Sequence, residues 1–395
     1  MVIKNIELYL LDGGRPGWRP IVCKVNTDEG ISGYGEASVG FDAGAMGSFG
    51  MLMELAPMCI GMDPMANEQI WDHLFHNSFW GQGGGVIAFS AISALDMAMW
   101  DIRGKVFQAP LWKLLGGKRN PRLRAYASQL QFGWGKDGMV FDRGFRPEDL
   151  AEHARKAVEE GFDAVKINFI TYDENGNRLG FLRGPISLKT ARMIDKRIRV
   201  VRDAVGRDVD ILLENHGRTD GVSASMLAEI AKPYDIFFME EPCTPFLIQT
   251  SKKIHKESGI PIAGGERVFG RWNYLNLLKE NALQVIQPDV GTCGGITEAK
   301  KICDMAHAFD VGVQLHVCSS PIGIAAALQL EAVLPNFVIH EHHVTNRSQD
   351  NISLGIYDYQ PVKGFCEIPD LPGIGQELSE KAIRTSLVYK KIDGV

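Results

Sequence analysis

The chain reads as an α/β protein of two units, an α+β unit over roughly its first 120 residues and a parallel (β/α)8 barrel over most of the rest. Three observations predict this. Short alternating apolar runs and turns crowd residues 2–38. A stretch that is apolar nearly all round, 88–101 (AFSAISALDMAMWD), marks a buried helix. From Leu123 onward, eight short apolar runs recur, each followed by an amphipathic stretch of about 12 to 17 residues, as βα units require.

The opening IKNIELYLL and PIVCKVNT, the turn at Asp28-Glu29-Gly30 and the following ISGYGEAS predict an antiparallel meander. The Gly-rich stretch 40–50 reads as a mobile loop, and helical patterns then dominate to about residue 117. The eight candidate barrel strands are LRAYAS, AVKIN, DILLEN, FFMEEP, PIAGGE, LQVIQPD, GVQLHV and FVIHEH. Between them Leu150, Ala154, Ala157 and Val158 share one helical face, as do Ile302, Met305, Ala306 and Phe309. A polar insertion, 171–185, interrupts the rhythm after the second strand, where insertions commonly shape a barrel's pocket. The absence of GxGxxG after a first strand removes the main support for a dinucleotide-binding sheet.

A length of 395 residues suits two domains, and 45% hydrophobic with 23% charged residues suits a soluble globular protein. A net charge of −6 without any block of like charges leaves no footprint for nucleic acid or a membrane surface, so a small-molecule partner is expected. The N-terminus carries no signal-peptide pattern, which predicts a cytoplasmic protein. Seven scattered cysteines without a CxxC pair read as buried thiols in a reducing compartment.

In a barrel the chemistry sits at the C-terminal strand ends. Those positions hold Lys166 and Asn168, Glu214 and His216, Glu240, Glu266, Asp289, His316 and Glu341. Glu214, Glu240 and Glu266 are each 26 residues apart, one βα unit, so they stand at one height on adjacent strands. At about 4 Å and an effective dielectric near 20, each pair of carboxylates repels by roughly 4 kcal/mol, so the cluster needs protons or a cation. Hard oxygen ligands without cysteine favour magnesium over zinc. The plainer alternative pairs these acids with strand-end neighbours, such as Glu266 with Arg267. His216 follows Glu214 by two residues and shares its face if the strand continues. Asp289 and His316 end consecutive strands, so the carboxylate could fix the imidazole tautomer and make His316 a general base; otherwise His316 caps a loop near Ser319 and Ser320. In HEHH, alternation lets only His343 share the face of Glu341.

These residues resemble the enolase superfamily and, within it, the mandelate racemase subgroup. The likeness spans the buried ALDMAMWD helix with WKLLGG, the KxN strand, LENHGR, MEEP, GGER, IQPD with GGITE, the strand-seven His and PDLPGIG. The combination is most similar to acid-sugar dehydratases of the D-galactonate and gluconate type. The resemblance implies a (β/α)7β barrel at 122–358 under a cap formed by 1–121 and completed by 359–395. It implies one magnesium per subunit on Glu214, Glu240 and Glu266, with Glu241 facing outward. Asp289 and His316 would form the base dyad, His216 the acid and Lys166 a cation beside the substrate. Glu341 would hydrogen-bond the substrate carboxylate, with Asn168 and Trp18 among the binding residues. The loops 13–18 and 40–50 would close over a sugar acid, and a homo-oligomer is expected.

Two positions depart from the subgroup's pattern. Asn168 stands where a racemase carries a second lysine base, which argues against two-face proton exchange. Glu214 replaces the commoner Asp, lengthening the arm by one methylene at the same charge. The implied activity is loss of water from a sugar acid to a 2-keto-3-deoxy acid. A cycloisomerase or epimerase on the same scaffold is the rival, and a non-catalytic sugar-acid-binding protein a minor one.

Overall fold

The computed structural model describes residues 1–135 and 143–394. Strands β1 (Ile3–Leu10), β2 (Ile21–Thr27) and β3 (Ser32–Ala37) form the antiparallel meander, with Leu10 opposite Ile21 and Ile21 opposite Ala37. Three helices, Ala45–Cys59, Asn67–Asn77 and Val86–Val106, complete this unit. The Val86–Val106 helix lies close against β3: a Cβ on Gly33 would come within 2.1 Å of the Ala98 carbonyl oxygen, and one on Gly35 within 1.9 Å of that of Ala94. Only glycine permits this approach.

One expectation is corrected here. The stretch 40–50 is not wholly a loop, because the Ala45–Cys59 helix starts inside it. Ala45, Ser48, Phe49 and Leu52 bury one face. That burial outweighs the helix propensity that Gly47 and Gly50 forfeit, about 1 kcal/mol each relative to Ala.

The barrel strands are β4 (Leu123–Ser128), β5 (Ala164–Ile167), β6 (Asp210–Glu214), β7 (Ile236–Glu240), β8 (Ile262–Gly264), β9 (Val285–Ile286), β10 (Gly312–Val313) and β11 (His340–His343). Consecutive strands from β4 to β10 pair in parallel and β11 pairs in parallel with β4, while a bridge from Val313 to Phe337 closes the ring. Among the described residues, seven helices of 10 to 18 residues connect these strands, and β11 is followed only by the single turn Gln349–Ile352. This is the (β/α)7β arrangement. Tyr126, Leu212, Phe238 and Ile339 pack the floor of the barrel.

The chain end returns in two steps. Strand β12 (Phe365–Cys366) runs antiparallel to β4, and β13 (Val388–Asp393) joins the edge of β1, giving the cap sheet the order β13-β1-β2-β3. Buried carboxylates fasten cap to barrel. Glu36 accepts bonds from Ser320 N, Ser320 Oγ and Gly323 N at the start of the Pro321–Glu331 helix. Asp96 accepts from Thr297 N and Oγ1 at the start of Gly295–Ala308. Negative groups at helix N-termini meet unpaired N–H donors and a favourable dipole. Asp101 joins both chain ends, accepting from Tyr34 N and from Ile374 N of the PDLPGIG segment. No described helix is long and apolar enough to cross a membrane.

Candidate active site

Parallel pairing brings the strand-end residues together. Glu214 is directly opposite Glu240 in the β6–β7 register. Lys166, fully buried on β5, places Nζ 3.0 Å from Glu214 Oε2, 2.7 Å from Glu240 Oε2 and 2.9 Å from Glu341 Oε1. Burial opposes its charge, but Glu214, Glu240 and Glu341 outweigh this and hold the ammonium well above its usual range. Around them, Gln287 Nε2 donates to Glu240 at 2.6 Å, and Gln129 Nε2 and the backbone N–H groups of Asn215 and His216 donate to Glu214. Ser128 Oγ and Val317 N donate to Glu341 at 2.6 and 3.1 Å.

On the other side of the mouth, His316 Nδ1 lies 2.7 Å from Asp289 Oδ2, and Nε2 lies 3.3 Å from Glu266 Oε2. The Asp289 bond places a proton on Nδ1 and leaves Nε2 directed into the cavity. Burial disfavours the imidazolium, yet Glu266 and Asp289 together raise its pKa to about 10. Burial likewise opposes the Glu266 charge, but His316, His216 and Arg267 hold that carboxyl down at about 2. His216 lies past the end of β6, in a left-handed conformation with φ 52°. The turn, rather than a continuing strand, brings its Nε2 to 3.7 Å from Glu214 Oε2, and burial lowers its pKa. Strands β6 and β10 are four apart in an eight-stranded ring, so His216 and His316 face each other across the lumen. A cavity of about 540 Å3 opens between them, lined also by Lys166, Glu266 and Glu341.

This arrangement is shared with known proteins. Residues 149–382 match the family described as enolase C-terminal domain-like, and residues 18–116 match the mandelate racemase/muconate lactonizing enzyme N-terminal domain. The chain belongs to the mandelate racemase/muconate lactonizing enzyme family of the enolase superfamily. An enolase superfamily member from Salmonella Typhimurium is 46% identical, with a TM-score of 0.96 over 99% of this chain and 100% of that one. A provisionally named dehydratase from Zymomonas mobilis ZM4 is 47% identical over the full length of both chains, also at TM-score 0.96. The 3,6-anhydro-D-galactonate cycloisomerase of Zobellia galactanivorans is 26% identical at TM-score 0.83, covering 98% of this chain and 100% of that one.

Within this family site, the three expected ligands do not all point to one centre. Glu214 and Glu240 turn to Lys166, while Glu266 turns to His316, and no group of three acidic, His or Cys side chains among the described residues stands about a metal-sized gap. The donor chemistry nonetheless fits a hard divalent cation. Among the described residues, the five carboxylates of Glu214, Glu240, Glu266, Glu341 and Asp289 are met at close range chiefly by Lys166 and a charged His316, since Arg267 pairs closely with Glu241 and stands 3.6 Å from Glu266. Burial and the neighbouring Glu214 push the Glu240 carboxyl well above its usual range, the mark of uncompensated negative charge.

Three other expectations resolve differently. Glu241 points out of the lumen but not to solvent: it is 4% exposed and bonded by Arg267 Nε at 3.1 Å, so Arg267 pairs chiefly with Glu241 and only distantly, at 3.6 Å, with Glu266. Trp18 is buried and donates from Nε1 to Asn351 Oδ1 at 3.0 Å, so it anchors its loop to the barrel while Arg15, Pro16 and Gly17 line the cavity. Asn168 accepts Ile170 N at 3.1 Å and shapes the chain after β5 instead of lining the cavity. Conversely, sequence reasoning passed over Gln129, Gln287, Ser128 and the lining residue Cys318, and reached the lining residues Arg15 and Arg178 only as members of the loop 13–18 and the insertion 171–185. Gln287 sits in IQPD, two residues before Asp289, and inward alternation there could have found it.

Proposed function

We propose that this enzyme dehydrates a sugar acid to a 2-keto-3-deoxy acid, with magnesium held by Glu214, Glu240 and Glu266. The observation that carries the reading is the His316–Asp289 dyad facing His216 across a carboxylate-lined cavity. When bound, magnesium would supply positive charge at the substrate carboxylate and so stabilise the charge left when C2 loses its proton. Lys166 adds a fixed cation there, and Glu341, held by Ser128 and Val317, is placed beside it. With the Glu266 charge engaged by the metal, His316 would be neutral, its proton on Nδ1 toward Asp289, and its free Nε2 would take the C2 proton. His216 gives a proton to the departing C3 hydroxyl, which leaves as water, and the enol takes up a proton at C3 to become the keto acid. The depressed pKa of His216 makes it a strong donor once charged, at the cost of its charged fraction near neutrality.

The test is to incubate the protein and magnesium with separate aldonic acids, the D-galactonate and D-gluconate types first, and assay keto-acid formation. The expected result is a keto acid from at least one of them, formed at least about 100-fold more slowly by His316→Asn. The alternative of cycloisomerisation draws support from the Zobellia galactanivorans neighbour. A product isomeric with its substrate, with no water lost, would establish that alternative instead.

A further inference from the structure

His343 takes no part in the chemistry above, yet it lines the cavity. It is the next residue after Glu341 on the inward face of β11. Its two histidine neighbours on the strand are both engaged elsewhere. His340 is buried in a 2.6 Å pair with Glu331, and His342 stacks on Phe162 with ring centroids 6.0 Å apart, so neither reaches the lumen. The His343 ring is fixed from behind. Its Nδ1 lies 3.0 Å from the backbone N–H of Thr345, which can only donate. Nδ1 is therefore the acceptor, and the ring proton sits on Nε2. Thr345 is itself held, its Oγ1 accepting from Arg15 Nη2 at 2.6 Å. Arg15 belongs to the cap loop 13–18 that lines the same cavity, so cap and barrel meet through this chain of bonds.

We propose that His343 is a specificity-determining residue whose Nε2–H donates a hydrogen bond to a substrate hydroxyl beyond C3. The inference rests on the sugar-acid reading of the site and deepens it. Two residues of strand carry His343 about 7 Å from Glu341 toward the mouth, away from the reacting carboxylate. An imidazole with its Nδ1 occupied by an amide offers one donor and no acceptor, so it selects by the presence and orientation of an acceptor oxygen. Burial and the nearby Arg15 and His316 charges keep the ring neutral and push its pKa down to about 3, although Glu341 pulls the other way, which suits a binding group and not a proton shuttle. A site built to hydrogen-bond a hydroxyl discriminates strongly against an analogue that lacks it, because its buried donor is then left unpaired.

The test compares wild type, His343→Leu and His343→Gln on an accepted sugar acid, its epimers at carbons beyond C3 and the corresponding deoxy acids, reading kcat/KM and calorimetric binding in parallel. Expected is a loss of about 100-fold in kcat/KM for His343→Leu on the accepted acid. Little change is expected on one of the deoxy acids, so that discrimination collapses, and partial recovery is expected in His343→Gln, which retains an N–H. Equal losses on hydroxylated and deoxy acids, or no loss, would overturn the proposal. If the same collapse appears in binding while no acid loses water, His343 keeps its role and the dehydration reading falls. Binding of no sugar acid at all would overturn both.

Discussion

Replacing Lys166 with Met removes an ammonium shared by three buried carboxylates. Lys166 and Glu214 are fully buried and Glu240 and Glu341 nearly so, with Nζ within 3.0 Å of all three. Removing one partner of such a network leaves charge without compensation and typically costs 3–5 kcal/mol. With an unfolding entropy of about 2.1 cal/mol/K per residue, the loss lowers Tm by roughly 5 °C if the chain melts in one transition. The pH dependence has a definite sign. Burial and Glu214 already hold the Glu240 carboxyl above its usual range against the pull of Lys166; without the lysine it rises further, so the variant loses stability as pH rises through it and regains it as pH falls. Scanning calorimetry at pH 5 and pH 8 should therefore show a Tm deficit at pH 8 that shrinks at pH 5. Saturating magnesium should recover part of it at pH 8. An unchanged Tm at pH 8 would refute the argument that Lys166 offsets the charge of this cluster.

Other outcomes follow from the same geometry. His316→Asn should lower kcat by about 10²- to 10⁴-fold, and C2 hydrogen exchange with deuterated solvent should vanish with it; undiminished exchange removes His316 as the base. Glu266→Gln should weaken magnesium binding, read by calorimetry, and unaltered affinity would take it out of the ligand set. Burial raises Glu36 to about 7 despite three donors from the Ser320–Gly323 turn, so folding holds a proton that the unfolded chain releases above pH 4.5. Stability should fall by on the order of 3 kcal/mol between pH 5 and pH 8 from this group, and Glu36→Gln should flatten that slope in denaturant titrations. Arg197 bonds the carbonyls of Phe145, Phe169, Tyr172 and Asp173, anchoring the insertion that carries Arg178 into the cavity. Arg197→Met should destabilise the fold by about 3 kcal/mol and raise KM more than it lowers kcat; an unchanged KM would detach the insertion from binding.

Much of this site was legible because barrel geometry converts spacing into position. A 26-residue step between glutamates can only be one βα unit, and so Glu214 and Glu240 meet in register. Asp289 and His316 pair for the same reason. What resisted was anything decided by a side chain's reach or by a turn. Lys166 extends across two strands to gather Glu214, Glu240 and Glu341, and no periodicity reports the length of that arm. His216 enters the cavity through a left-handed turn, although alternation along a strand also placed it there. Trp18 and Asn168 stand near the cavity in sequence, but Trp18 Nε1 is engaged by Asn351 and Asn168 Oδ1 by the chain at Ile170. The helix beginning at Ala45 was hidden by Gly47 and Gly50, whose low propensity a single buried face overrides.

The most direct measurement of the central claim is the fate of hydrogen and oxygen in one turnover. The protein, magnesium and an accepted sugar acid are combined in deuterated water and the product is followed by NMR and mass spectrometry. Dehydration by His316 and His216 predicts a product lighter by one water, ketonic at C2 and carrying one solvent deuterium at C3. A product that keeps every oxygen of its substrate would contradict it.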